Sequence, residues 1–271
     1  MEPTIKLANN SSIPQIGLGL WQIKDESEFK IAFKSAIKAG YTHFDTAQAY
    51  NNEQILGQCI KEMKLKREDL FITTKIHIAN FAPKKLHQSF EESLNKLRTD
   101  YVDLLLLHFP VTMMRKKAWL VLEDLMTSSL VKNIGVSNYT EKHLEEMKSY
   151  ASIMPVINQV ELHVFLQQPE LIKYCNKNKI AIEAYSPLAH GALGDNQVIQ
   201  KIADKYHKTY AQIMLRFLVE QNLVVIPKSV NPKRIEENID IFDFNLDKED
   251  MAELKKQDKN KRTCWSPVHV P

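Results

Sequence analysis

Three cysteines in 271 residues, Cys59, Cys175 and Cys264, are odd in number, widely spaced and without a CxxC pair. This excludes a disulfide framework and a cysteine zinc site, and the three read as free thiols. No apolar run approaches the ~18 residues of a bilayer span. The longest, such as Leu104–Leu107 and Leu223–Ile226, have strand length. The opening Met1-Glu2-Pro3-Thr4-Ile5-Lys6 lacks the basic and apolar regions of a secretory signal, so the expected location is the cytoplasm. Neither sign of charge dominates: 36 Lys and Arg stand against 33 Asp and Glu, for a formal net charge of +3. Short basic clusters, Arg115-Lys116-Lys117 and Lys255-Lys256, never grow into a stripe, which argues against nucleic acid and membrane partners.

Several chemical signatures are missing too. His43, His77, His163, His190 and His207 lack metal-ligand spacing and no HExxH occurs, so no metal is expected. Gly17-Leu18-Gly19 is followed by Gln22 where a dinucleotide fingerprint needs its third glycine, and no GxxxxGKS/T exists. Gly135-Val136-Ser137-Asn138-Tyr139 fails as a nucleophile elbow because Tyr139 replaces the final glycine.

What is present is an alternation. A hydrophobic share of 44% and a charged share of 25% suit a soluble globular chain with a real core. Its length allows two ordinary domains or one α/β barrel. Short β-rich segments alternate with helical ones from Ile16 to about Asn238. The expected strands are Ile16–Leu20, Thr42–Thr46, Leu70–Ile76, Val102–His108, Asn133–Asn138, Val156–Leu162, Ile180–Ser186 and Leu223–Ser229. Between them, Phe29, Phe33, Ala36 and Ile37 mark one amphipathic helix, and Leu86, Phe90, Leu94 and Leu97 another. No Pro/Gly/Ser-rich linker interrupts the series. The expected fold is therefore α/β, a single (β/α)8 TIM barrel over residues 1–271. Pro3 to Pro14 predicts an N-terminal β-hairpin closing the barrel floor; Lys248–Lys256 predicts an extra C-terminal helix, followed by a tail to Pro271.

In such a barrel the reactive groups come from the C-terminal ends of the strands. Those ends carry Asp45, Lys75, His108, Ser137-Asn138, Gln159, Tyr185-Ser186 and Lys228-Ser229, which should converge on one face.

The segment Gly40-Tyr41-Thr42-His43-Phe44-Asp45-Thr46-Ala47-Gln48-Ala49-Tyr50, followed by Asn52-Glu53 and Gly57, resembles a signature of the aldo-keto reductases. Further similar motifs follow in order: Thr74-Lys75, Leu107-His108-Phe109-Pro110, Gly135–Tyr139, Asn158-Gln159-Val160-Glu161, Tyr185-Ser186-Pro187-Leu188, and Ile226-Pro227-Lys228-Ser229 with Arg234, Glu237 and Asn238. The chain is most similar to the short 2,5-diketogluconate reductase-type members. The resemblance implies an NADPH-dependent oxidoreductase, monomeric, that moves a hydride onto an aldehyde or ketone.

It also implies roles. Tyr50, Asp45, Lys75 and His108 would be the catalytic four. A carbonyl that receives hydride becomes an alkoxide and needs a proton, which Tyr50 would give. The adjacent Lys75 ammonium would stabilise the phenolate, Asp45 would hold Lys75, and His108 would orient the carbonyl. Ser137, Asn138 and Gln159 would hold the nicotinamide carboxamide while Tyr185 stacks on the ring. Gly19, Trp21, Asp45, Ser186, Leu188 and Val230 complete the expected cofactor contacts. Lys228, Ser229 and Arg234, beside a helix N-terminus, would take the 2'-phosphate, with Glu237 and Asn238 at the adenine. Trp21, His77, His108, Phe109 and Trp265 would line the substrate pocket.

His77, Phe109 and Val164 depart from the commoner family residues, Trp, Trp and Pro, so the relatives' substrates do not transfer. Leu188–Asn196 is too short for a long belt over the pyrophosphate. The tail from Asp258 is expected to act as a lid with little part in folding, its Trp265 docked near Trp21 and Phe109. Two rival readings remain. A cofactor-binding sensor or regulatory subunit could share the barrel, though it would have no need of an intact catalytic four. An isomerase or aldolase would need a Glu base or a Schiff-base lysine, which Lys75 beside Asp45 and Tyr50 fits poorly.

Overall fold

A computed structural model describes residues 3–191 and 196–271. The first two residues of the N-terminal stretch, and positions 192–195 of the expected short belt, lie outside them. Two short strands, β1 (Thr4–Lys6) and β2 (Ser12–Pro14), pair antiparallel as the expected hairpin. Eight parallel strands then follow: β3 (Leu18–Gly19), β4 (His43–Asp45), β5 (Phe71–Ile76), β6 (Leu104–Leu107), β7 (Ile134–Ser137), β8 (Ile157–Glu161), β9 (Ala181–Tyr185) and β10 (Val224–Ile226). Each pairs with its sequence neighbour. The ends meet through a short seam, where Gly17 N–H donates to Val225 O at 2.9 Å and Gly19 N–H to Pro227 O at 3.0 Å. Gly19 is required there, because a Cβ would stand 2.8 Å from the Ile226 carbonyl oxygen.

The strands match the expected segments with their ends trimmed. His108, Asn138, Ser186 and Lys228 have left the ladder, since the chain diverges into loops at the point where its side chains face the barrel mouth.

Among the described residues ten helices surround the sheet: α1 (Glu26–Ala39), α2 (Glu53–Glu62), α3 (Pro83–Leu97), α4 (Arg115–Thr127), α5 (Glu141–Met147), α6 (Pro169–Lys177), α7 (Gln197–Tyr206), α8 (Tyr210–Val219), α9 (Pro232–Ile239) and α10 (Lys248–Lys255). Local chemistry sets their ends. The Asp25 carboxylate accepts from Glu28 N–H at 2.9 Å to start α1, and Gly40, at φ 100°, ends it in a left-handed turn. Phe29, Phe33 and Ala36 are fully buried against the sheet, and so are Leu86 and Phe90 of α3. No helix among the described residues is long and apolar enough to cross a membrane.

The barrel interior has two zones. At the floor, Ile5, Leu7 and Ile13 of the hairpin segment pack against Phe71, Leu104, Leu106, Ile157 and Val224. Each such burial is worth ~1.5–3 kcal/mol, so the hairpin plugs the floor with dry contacts. Above it the buried residues turn polar: His43, Asp45, Thr73, Lys75, Gln159 and Glu183.

The tail corrects an expectation. It is tied down along the rim: Lys259 and Lys261 N–H both donate to Phe165 O at 3.1 Å. Thr263 N–H and Oγ1 donate to Glu161 Oε1 at 2.5 and 2.7 Å. Farther on, Val270 O lies 2.9 Å from His143 Nε2, and Pro271 O accepts from Arg115 Nη1 at 2.7 Å. Trp265 itself is 81% exposed, so its indole is not a buried anchor, while the neighbouring Cys264 sulfur lies 3.3 Å from His190 Nε2. The tail is held by backbone and carboxylate hydrogen bonds, which need no aromatic anchor.

Candidate active site

β4, β5 and the turn after β4 bring three of the four expected catalytic side chains together. Asp45 ends β4, Lys75 lies inside β5, and Tyr50 closes a single 3-10 turn, Gln48–Tyr50, that folds back over the strand ends. That turn is pinned by Gln48, whose amide donates to Ser89 O at 3.0 Å and accepts from His77 N–H at 2.9 Å. Asn52 closes it from the other side, donating to Leu20 O at 2.9 Å and Ile23 O at 3.0 Å.

Lys75 is fully buried and spends its three ammonium N–H bonds on three acceptors. They are Asp45 Oδ1 at 2.5 Å, Thr46 O at 3.1 Å and the Tyr50 hydroxyl at 3.3 Å. A buried ion pair of this kind adds little net stability, because desolvation offsets the attraction; it does fix where the charge sits. The Tyr50 oxygen accepts from Lys75, and an ammonium has no lone pair to take a proton in return, so the phenolic O–H is free to point elsewhere.

The electrostatics follow from burial. Burial pulls the Lys75 ammonium down, but Asp45 and Tyr50 more than offset it and the net direction is up. Asp45 is pushed upward by burial, against the pull of Lys75 and Gln159. Burial pushes the Tyr50 phenol up and outweighs the downward pull of Lys75, so its net direction is up. The group therefore holds its proton at neutral pH. His108, edge-on to Tyr50 with ring centroids 5.7 Å apart, is pushed down to about 3 by burial and then by Lys75 and His77. At neutral pH that leaves a neutral imidazole.

At the neighbouring strand ends, Ser137 Oγ donates to Gln159 O at 3.0 Å, and Asn138, at φ 66°, donates through Nδ2 to Ser137 Oγ at 3.0 Å. The Tyr185 hydroxyl donates to Asn138 Oδ1 at 2.8 Å. The Gln159 amide nitrogen donates to Asp45 Oδ2 at 2.8 Å and to Glu183 Oε2 at 2.7 Å, and its amide oxygen has no donor among the described residues. Trp21, 41% exposed, stands edge-on to His190 at 5.6 Å. Leu188 and Val230 are half-buried beside the core, and Ser186 lies 3.3 Å from His190 Nε2. Phe109 and His77 are half-buried in the loops after β6 and β5.

On the far side, the Asn231 side chain caps α9 by accepting from Lys233 and Arg234 N–H. Lys228 and Arg234 are exposed there and meet no carboxylate among the described residues. Ser229 and Asn238 are buried and Glu237 is exposed. Two unpaired cations before and within the first turn of a helix form a donor set suited to a phosphate.

Sequence reasoning missed Glu183 and the role of Glu161. The available signal was a glutamate at an inward position of an apolar strand, since buried carboxylates are rare without partners.

A model of the Aldo/keto reductase family matches residues 15–259. Methylglyoxal reductase DkgA of Escherichia coli (strain K12) is 44% identical over 267 residues, 97% of this chain and 96% of the relative. Glyoxal reductase of Bacillus subtilis (strain 168) is 42% identical over 98% of this chain and 97% of its own. Among solved structures, an aldo-keto reductase from a Medee basin deep-sea metagenome library superimposes with a TM-score of 0.95 at 40% identity, covering 98% of this chain and 99% of that one. A Bombyx mori aldo-keto reductase in complex with NADP gives 0.90 at 35% identity, covering 97% and 94%.

Proposed function

The chain belongs to the aldo/keto reductase family, and within it we propose that this protein reduces aldehydes or ketones to alcohols with NADPH, Tyr50 giving the proton. Solved relatives carry NADP or NADPH, and the unpaired Lys228 and Arg234 and the free Gln159 amide oxygen offer fitting partners. When bound, that cofactor supplies the hydride. Lys228, Ser229 and Arg234 would hold its 2'-phosphate, and Ser137, Asn138 and Gln159 its carboxamide, with Tyr185 against the ring.

The neutral His108 donates a hydrogen bond to the carbonyl oxygen and fixes its position. As negative charge builds on that oxygen, the Tyr50 O–H proton moves to it. The phenolate left behind is stabilised by Lys75, which Asp45 keeps in place. Lys75 itself never needs to give up a proton. We infer that the enzyme works as a monomer in the cytoplasm, where its free thiols stay reduced.

The single observation that carries this reading is the Asp45–Lys75–Tyr50 chain of hydrogen bonds at the barrel mouth. The names of the bacterial relatives suggest small dicarbonyls as first substrates. NADPH consumption should be followed with glyoxal, methylglyoxal and a panel of larger aldehydes and ketones. Consumption that depends on the carbonyl supports the proposal; tight NADPH binding with no turnover on any of them would favour a sensor.

A further inference from the structure

Glu183 takes no part in the steps above, yet it is joined to the partner of the catalytic lysine. It is fully buried on β9 and stands opposite Gln159 in the β8–β9 register. The two N–H bonds of the Gln159 amide go to two carboxyls, Asp45 Oδ2 at 2.8 Å and Glu183 Oε2 at 2.7 Å. The other Glu183 oxygen, Oε1, has no hydrogen-bond partner and lies 3.6 Å from His43 Nε2. An ionised Glu183 would place half of its charge on a bare buried oxygen, among the costliest states an interior can hold.

The charge balance points the same way. Asp45 and His43 face this region from β4, Lys75 from β5 and Gln159 from β8, while β10 sets Val224 opposite Glu183. His43 is neutral, pushed down to about 3 by burial and then by Lys75. Among the described residues Lys75 is the one cation facing this region, and its three N–H bonds go to Asp45, Thr46 and Tyr50, with none left for Glu183. One cation balances one carboxylate, and Asp45 is already that carboxylate.

We propose that Glu183 is a positioning residue for carbonyl reduction: as a neutral carboxylic acid it anchors the Gln159 amide and leaves Lys75 a single counter-ion, free to stabilise the Tyr50 phenolate. Its proton belongs on Oε1, because Oε2 accepts from Gln159. Burial, and then Asp45, push Glu183 up to about 8. Above that pH a second negative charge appears beneath the site. An ionised Glu183 raises both Tyr50 and Lys75, so the phenolate becomes harder to form. Proton release should slow by roughly tenfold or more once Glu183 ionises.

The inference rests on the reading of Tyr50 as the acid, so the experiment pairs one measurement without cofactor and one with it. Infrared difference spectra of the cofactor-free protein, titrated from about pH 6 to about pH 10, should show a buried carboxylic-acid band that disappears near pH 8 and is missing in Glu183→Gln. Single-turnover reduction by Glu183→Gln should stay within about threefold of wild type near neutrality and lose the alkaline limb. Glu183→Leu, which cannot hold Gln159, should fall about tenfold in kcat with little change in carbonyl KM, and Gln at that position should restore it. Thermal melts of both variants identify any that has failed to fold. A wild type without the acid band, an unchanged alkaline limb in Glu183→Gln, or a folded Glu183→Leu as fast as wild type would each overturn the proposal. A chain that reduces no carbonyl overturns it as well, but the infrared band would then still report a neutral Glu183, so that failure is told apart from a mistake about Glu183 itself.

Discussion

The Lys75 ammonium donates to the Tyr50 hydroxyl oxygen at 3.3 Å, so the phenolic proton is turned away from the lysine. One hydrogen bond thus sets the direction in which a proton can leave. On the proposed mechanism the same bond would divide the labour, Lys75 stabilising charge and the Tyr50 O–H giving the proton.

Tyr50→Phe removes the donor and keeps the ring. General acid catalysis is typically worth ~100- to 10,000-fold, and a loss of that size in kcat is expected with NADPH affinity nearly unchanged. Stopped-flow reduction and fluorescence titration check the two halves. A variant that kept more than about a tenth of wild-type turnover would refute Tyr50 as the acid.

Lys75→Met leaves Asp45 buried beside Gln159 without its cation. Breaking a buried pair by removing one partner costs ~3–5 kcal/mol, so the variant should melt lower as well as lose activity. Asp45→Asn made together with Lys75→Met should recover part of the stability and none of the turnover. If the double variant melts no higher than Lys75→Met alone, the pairing argument fails.

Arg234→Ala should weaken NADPH far more than NADH, because only the former carries a 2'-phosphate. A charge-assisted hydrogen bond of ~1.5–3 kcal/mol corresponds to roughly ten- to a hundredfold in Kd. Equal weakening of both cofactors would remove the phosphate assignment.

Truncation after Gln257 should lower the melting temperature. Glu161 is fully buried at the end of β8; burial pushes its carboxyl up, but hydrogen bonds from His163 and Thr263 win and the net direction is down. Without the tail this anion loses Thr263, Cys264 and Arg262. A loss of ~1–3 kcal/mol is expected, at about 2–4 °C per kcal/mol for a chain of this size. An unchanged melting curve would return the tail to the role of a dispensable lid.

Stability should also carry the mark of Glu183. Its folded pKa, about 8, lies above the ordinary value of 4.5, so its contribution is complete below about pH 4.5 and is lost as pH rises through 8. Unfolding free energies from urea titrations should therefore decline across that window more steeply in wild type than in Glu183→Gln, by on the order of a few kcal/mol in total. Parallel curves would show that Glu183 is already ionised in the folded protein.

Much of this protein was legible in its residues alone. The eight strands, the hairpin and the helices follow from local periods and caps, such as the Phe29, Phe33 and Ala36 face of α1 closed by Asp25 and Gly40. The meeting of Asp45 and Lys75 follows from the rule that barrel chemistry gathers at strand C-termini, whereas Tyr50, on the turn after β4, was marked only by the family resemblance. Other properties depend on contacts between residues far apart in the chain. Gln159 meets Asp45 across 114 positions, and Thr263 meets Glu161 across 102. No local pattern announces either contact, so the expected aromatic anchor at Trp265 gave way to a buried carboxylate that holds the tail. Protonation was decided the same way. The sequence determined which titratable groups stand at the mouth; only tertiary structure decided that His108 is neutral and that Tyr50 keeps its proton, because both depend on how much water packing removes and which charge it brings near.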